Sequence, residues 1–154
     1  MGAYVLRLFE DQIETSGAID PALVSCKRVL YVVEGSMIVA GEAREWKANS
    51  AWFGTGPCTV QAGEEGVRLW RWELVESAVS DEGLAAGSGV RSSAKMHDEI
   101  ELDSQGEYLM RCDRVDFPLG GIAYTHIHAG AGTRCLLQGA LKVLLDDGEE
   151  IFVE

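Results

Sequence analysis

Short runs of apolar and β-branched residues alternate along this chain with groups of glycine and polar residues. The runs recur at short intervals, and few stretches have the three-to-four-residue spacing of an amphipathic helix. This pattern predicts an all-β protein whose antiparallel strands form a sandwich or a barrel. The predicted strands are residues 4–9, 28–33, 36–40, 67–74, 99–102, 108–115, 122–127, 134–137, 140–145 and 151–153.

Glycine predicts tight turns between several of these runs. Gly35 and Gly139 each separate two strand-like runs, and Asp147-Gly148 separates the last two. Asp-Gly is a strong hairpin sequence because glycine readily adopts the positive φ that the turn requires. We therefore expect a β-hairpin around Asp147-Gly148.

Residues 79–94 have a different composition, because they are rich in Ser, Gly and Ala. This composition predicts a linker or a long surface loop. The chain is then divided into residues 1–78 and residues 95–154.

The two parts contain similar strand-turn-strand sequences. When Gly35 is placed over Gly139, Val32-Val33 aligns with Leu136-Leu137, and the apolar positions after the glycines also align. A match of this kind on both sides of a linker favours an internal duplication.

Composition narrows the classes of function. The chain has 154 residues, of which 47% are hydrophobic, so it can form a well-packed core. Lys and Arg number 13 against 25 Asp and Glu, a formal charge of -12, which argues against nucleic acid and anionic membranes as partners. No secretory leader and no run of about 18 apolar residues is visible, so we expect a cytoplasmic protein.

The four cysteines lack the spacing of a zinc ribbon or a thioredoxin-like site. They are far apart in the sequence, each lies in or beside an apolar run, and none forms a Cys-x-x-Cys pair. We therefore expect buried, reduced thiols.

One histidine pair carries the candidate chemistry. His126 and His128 are separated by a single residue, so on a strand both imidazoles point to the same face, about 7 Å apart. Two imidazoles on one face can converge on one metal ion such as Fe, Ni, Mn or Zn. The alternative is a pair of solvated histidines at a sheet edge. His97, the third histidine, is expected at the surface.

The segment 120–139 resembles the first motif of the cupin superfamily. In that motif a glycine is followed by His-x-His, a glutamate and a second glycine, and Gly120, His126, His128 and Gly139 occupy the matching positions. The resemblance implies two cupin-type β-barrel or jelly-roll units, a degenerate one in residues 1–78 and a second in residues 95–154.

The sequence departs from the motif at the remaining ligand positions. Gly132 stands where the family has its glutamate, and the family's fourth ligand would fall after Glu154. The second barrel is therefore expected to be incomplete, with strands supplied by a longer chain, by the first part or by another copy. The first part contains no histidine and is expected to be structural.

The resemblance implies a divalent metal on His126 and His128, and oxygenase, isomerase or lyase chemistry on a small acid or aromatic compound. Arg134 and Tyr124 are expected to line the same pocket, with Arg134 pairing to an anionic ligand. The alternatives are that Arg134 is a surface residue at the rim of the barrel and that Tyr124 serves only in packing. Two alternatives remain open, a small-molecule binding protein without catalysis and a structural bicupin without metal. The resemblance also implies a homodimer, and an unpaired strand near residues 151–153 supports this expectation.

Overall fold

The computed structural model describes residues 2–20, 23–79, 82–103 and 105–154, which form eight β-strands. No helix is present in these residues, so none of them forms a long apolar helix of the kind that crosses a bilayer. All strand pairs are antiparallel, which confirms the all-β prediction. The strands are β1 (Gly2–Ile19), β2 (Lys27–Val39), β3 (Glu45–Lys47), β4 (Ala51–Gly54), β5 (Val60–Glu76), β6 (Gly87–Leu102), β7 (Leu141–Leu144) and β8 (Glu150–Val153).

The chain divides into two compact units, Met1–Asp116 and Phe117–Glu154. The first unit contains one sheet in the order β3-β2-β5-β1-β6, with β4 also paired to β2. The second unit contains the two-stranded sheet β7-β8.

Strand β6 crosses the boundary that composition predicts between a linker and a second unit. Residues 87–94, expected to be linker, pair with β1 and continue directly into the part of β6 that was expected to begin the second unit. Small residues such as Ser, Gly and Ala have low intrinsic strand preference, but the long backbone edge of β1 provides a partner for them. Residues 80 and 81 of the expected linker lie outside the described residues.

Alternating burial along β1 and β5 defines one enclosed face of the sheet. On β1 the side chains of Val5, Arg7, Phe9, Asp11 and Ile13 are all buried at every second position. The same alternation on β5 buries a matching set, namely Val67, Leu69, Arg71, Glu73 and Val75. Because successive side chains point to opposite faces of a strand, both sets lie on the same side of the sheet.

The apolar core occupies one part of this face. Its buried side chains come from strands β1, β2, β4 and β5 and from the connections between them. They are Ile13, Ile19, Leu23, Leu30, Val32, Met37, Val39, Trp52, Cys58, Val60, Ala62, Val67 and Leu69.

Charged side chains fill the other part of the same face. Arg28 of β2 lies opposite Glu73 of β5, and Glu73 lies opposite Arg7 of β1. The Glu73 carboxylate accepts hydrogen bonds from Nε of Arg7 at 3.0 Å, Nε of Arg28 at 2.8 Å and Nη1 of Arg71 at 2.7 Å. Arg71 also donates from Nε to Asp11 at 2.6 Å, and Asp11 accepts a further bond from Ser92 of β6. We call Arg7, Asp11, Arg28, Arg71 and Glu73 the buried charge cluster.

The opposite face of the sheet carries aromatic side chains. Tyr31 and Trp70 lie opposite each other on β2 and β5 and stack with their ring centroids 6.2 Å apart. Trp70 contacts Trp72 edge to face at 6.1 Å. Trp70 and Trp72 therefore share one face of β5, and both are half-buried.

Gly35 forms an irregularity within a strand and not the predicted turn. Strand β2 continues through it, and the register with β5 shifts between Gly35 and Met37. Its φ is +74°, and a Cβ placed there would lie 2.1 Å from the carbonyl oxygen of Gly66. Only glycine fits this close approach of two backbones.

Three predicted strands do not form in the structure. Residues 108–115, 122–127 and 134–137 have no strand pairing within the described part of the chain. They contain several exposed large apolar side chains, which include Leu109, Val115, Ile122, Tyr124 and Ile127. A strand requires a neighbouring strand for its backbone hydrogen bonds, so β-type side chains alone do not produce one.

The hairpin predicted at Asp147-Gly148 is confirmed. Strands β7 and β8 pair in register from Leu141 opposite Val153 to Leu144 opposite Glu150. Gly148 has a φ of +87°, and the Asp147 carboxylate accepts a hydrogen bond from the backbone N–H of Glu149 at 2.9 Å.

We predict that Glu73→Gln destabilises the first unit by about 3–5 kcal/mol, because it leaves buried guanidinium groups without their shared carboxylate. Tryptophan fluorescence during urea unfolding measures this change selectively, since all four tryptophans lie in the first unit. The control is Glu65→Gln at an exposed position of β5, where we expect a change of less than about 0.5 kcal/mol. Equal effects of the two substitutions would contradict the prediction.

We also predict that the buried charge cluster makes the free energy of unfolding decrease as the pH falls into the acid range. Burial alone raises the pKa of Glu73, but attraction to Arg71 and Arg28 outweighs burial and holds the pKa below its ordinary value of 4.5. A carboxyl whose pKa is lower in the folded state stabilises the fold above its unfolded pKa, and this contribution disappears as the pH falls through the folded pKa. Urea midpoints measured between about pH 7 and pH 3 should fall more steeply for the wild type than for Glu73→Gln.

Candidate functional site

His126 and His128 face each other in the second unit. Their Nε2 atoms are 3.0 Å apart, and their ring centroids are 4.8 Å apart at an interplanar angle of 66°. Both side chains are exposed, and the segment that carries them is not a strand. The rings are therefore closer together than the regular strand geometry predicts.

The backbone fixes the orientation of the first imidazole. Nδ1 of His126 lies 2.7 Å from the carbonyl oxygen of Tyr124. A carbonyl only accepts, so Nδ1 carries the proton in this contact, and the Nε2 of a neutral His126 then presents its lone pair to His128. In metal sites, such a bond at the other ring nitrogen commonly orients a histidine ligand.

The other two predicted site residues do not contact this pair through their side chains. Tyr124 contributes its backbone carbonyl, while its side chain is 88% exposed. Arg134 is exposed, and within the described residues it makes no hydrogen bond or ion pair with either histidine. Among the described residues, the two histidines are therefore brought together without a side-chain hydrogen bond from Arg134 or Tyr124.

A third metal ligand is not assembled beside the histidines. Among the described residues, no group of three or more His, Cys, Asp or Glu side chains is close enough to hold an ion. Gly132, at the position of the family's glutamate, has no side chain to contribute. His97 is exposed on β6 in the first unit, opposite Arg7 of β1.

No relative of this chain was identified by comparison. A scan of protein-family models found no match, and searches of curated proteins and of solved structures also found none. The cupin resemblance therefore rests on the residues of the 120–139 segment.

Sequence reasoning missed the buried charge cluster. Arg71 and Glu73 occupy the same alternate positions on β5 as Leu69 and Val75, which are buried. Charged residues in phase with apolar core positions are the signal that could have identified them, since a charge on a core face must find partners.

Burial makes Cys26 and Cys58 poor nucleophiles. Cys58 is buried, Cys26 and Cys135 are half-buried, and Cys112 is exposed, contrary to the expectation of four buried thiols. Burial, together with the negative charge of Glu73, raises the pKa of Cys26 to about 11 despite the arginines of the cluster. Burial also raises the pKa of Cys58, although Nη1 of Arg28 lies 3.4 Å from its sulfur.

A pocket of about 180 Å³ lies in the first unit and includes none of the predicted site residues. It is lined by Tyr4, Lys27, Leu74, Leu102, Asp103, Gly106, Tyr108 and Met110. Within it the hydroxyl of Tyr108 accepts a hydrogen bond from the backbone N–H of Asp103 at 2.7 Å. Local contacts therefore already use the hydroxyl of Tyr108.

We predict that Cys26 reacts slowly with iodoacetamide. The thiolate is the reactive form, so a pKa of about 11 in place of 9.0 lowers the reactive fraction at pH 8 roughly 100-fold. Peptide mass spectrometry measures the alkylation rate of Cys26 separately, and the same protein in urea serves as the control. Equal rates for Cys26 in the folded and unfolded protein would contradict the prediction.

Proposed function

We propose that this chain is a cupin-type protein in which His126 and His128 bind a divalent metal ion, and that the ion receives a small organic acid. The observation that supports the proposal is the 3.0 Å separation of the two Nε2 atoms. Two nitrogen ligands at about 2.1 Å from one ion and at a right angle to each other are about 3.0 Å apart. The Tyr124 carbonyl, bonded to Nδ1, leaves the Nε2 of His126 available as a ligand.

The chemistry of the donors limits the choice of ion. Imidazole nitrogen suits Fe, Ni and Zn, whereas Mn prefers oxygen ligands and has the lowest affinity in the usual order. Two protein ligands leave most of the coordination positions to water and to the bound molecule. When bound, such an ion supplies Lewis-acid chemistry to a coordinated oxygen.

The residues of this chain have separate tasks in the proposal. His126 and His128 hold the ion, and the Tyr124 carbonyl orients the ring of His126. Arg134, which is exposed in the same unit, attracts the carboxylate of an incoming acid. The reaction classes implied by the family resemblance are oxygenase, isomerase and lyase reactions of small acids or aromatic compounds.

A specific observation favours a second candidate, small-molecule binding without metal and without catalysis. No third His, Cys, Asp or Glu joins the two histidines within the described residues, whereas catalytic zinc sites have three protein ligands. The interior of the first unit supports a structural role for that part of a two-unit cupin, because buried side chains such as Phe9, Arg71 and Glu73 occupy it.

We predict that Ni²⁺ and Zn²⁺ each bind the full chain with a stoichiometry of one ion per chain, as measured by isothermal titration calorimetry. Loss of a residue that merely orients a ligand commonly costs about 10- to 100-fold in metal affinity. We therefore expect His126→Ala and His128→Ala each to weaken binding by roughly 100-fold or more. His97→Ala is the matched control and should bind as the wild type does.

Two outcomes would contradict metal binding at this site. One is the absence of saturable binding by the wild type, which would leave the two imidazoles as a hydrogen-bonded pair. The other is an equal loss of affinity in His97→Ala and His126→Ala. Titration of the metal-loaded and the chelated protein with oxalate and benzoate separates the two candidate functions, because ligand binding that survives chelation favours binding without metal.

A further inference from the structure

Strand β6 is a long, unprotected edge of the sheet in the first unit. It spans Gly87–Leu102, lies at the end of the strand order, and pairs on one side with β1 and with no other described strand on its second side. None of its 16 residues is fully buried. The strands at the opposite edge, β3 and β4, have only 3 and 4 residues. A long edge with free backbone groups is a template for another strand.

The two halves of β6 carry net charges of opposite sign. Arg91 is the charged residue of the first half, residues 87–94, whereas the second half contains Lys95 together with the acidic residues Asp98, Glu99 and Glu101. When two identical strands pair antiparallel, the first half of each lies beside the second half of the other. The edge of β6 is therefore complementary to itself in charge, as a twofold-symmetric contact requires.

The register with β1 identifies which charges would meet. Arg91 lies opposite Gln12, and Asp98 lies opposite Leu6, so both point to the same face of the sheet. Arg91 and Asp98 are an odd number of residues apart, which would place them on opposite faces of a regular strand. They share a face because Lys95 has no partner on β1, so the register shifts by one residue between them. Neither Arg91 nor Asp98 makes an ion pair with another described residue.

We propose that a second copy of this chain pairs antiparallel with the free edge of β6, and that Arg91 of each copy lies opposite Asp98 of the other. This register also places Ser93 opposite Met96 and Ser92 opposite His97, and it keeps each pair on one face. The second copy is favoured over an unrelated partner because one strand supplies both complementary halves. With a net charge of -12, two copies repel each other elsewhere, so association requires such a local match.

Two variants, each with one of the two facing charges reversed, test this contact separately and as a mixture. Arg91→Glu places like charges opposite each other twice in a homodimer, and so does Asp98→Lys. Each variant alone should therefore dissociate at a protein concentration roughly tenfold higher than the wild type, as measured by sedimentation velocity. In an equimolar mixture the introduced glutamate faces the introduced lysine, and the unchanged Arg91 and Asp98 face each other. Native mass spectrometry should then detect the heterodimer in preference to either homodimer.

The controls separate the β6 edge from other contacts. Glu65→Lys changes a surface charge of the first unit away from β6 and should leave the dimer unchanged, and tryptophan fluorescence verifies that each variant is folded. Phe152→Asp removes an exposed apolar side chain from β8 and should also leave it unchanged. The proposal is overturned if the wild type is monomeric at about 50 µM, because the dissociation constant of any dimer would then lie well above the micromolar range. It is also overturned if the folded variants fail to form the heterodimer, or if only Phe152→Asp disrupts the dimer.

Discussion

The carboxylate of Glu73 joins three strands inside the first unit, since it accepts hydrogen bonds from arginines on β1, β2 and β5. Guanidinium groups removed from water are strongly destabilising without partners, so the strands must meet in a register that brings both buried carboxylates to them. A shift by one residue would turn every charge to the opposite face. The cluster therefore constrains the register of β1 against β5, and Asp11 of β1 also accepts a hydrogen bond from Ser92 of β6.

The same alternation that predicts strands also explains which features of the first unit were predictable. Residues 4–9, 28–33 and 67–74 lie in strands because β-branched and apolar side chains at alternate positions cover a common core. The alternation does not reveal whether a glycine between two runs forms a turn or an irregularity within one continuous strand. Gly35 forms such an irregularity within β2. Nor does composition reveal the strand at 87–94, because its partner, β1, is about eighty residues away in the sequence.

In the second unit, by contrast, several segments have a strand-like sequence, but only β7 and β8 form a sheet among the described residues. Residues 122–127 have the side chains of a strand but no neighbour within the described residues, whereas the final hairpin brings its own partner through a tight turn at Gly148. Non-local pairing depends on strands that a sequence pattern cannot assign, while a hairpin depends on two adjacent runs. This difference accounts for the correct prediction of β7 and β8 and for the failure of the predicted strands at 122–127 and 134–137.

The contacts that hold the histidine pair together join residues that are close in the sequence, and this affects the chemistry that the pair can support. His126 and His128 are separated by one residue, and the contact that orients His126 comes from Tyr124, two residues earlier. Holding two groups so near in the chain closes a very short loop, so the convergence of the two Nε2 atoms does not require a completed barrel. A third ligand, by contrast, must come from a distant segment and depends on long-range packing. A two-histidine site can therefore exist before, or without, the enclosure that a catalytic pocket needs. The metal binding that we propose for this segment therefore does not depend on the catalysis that the family resemblance implies.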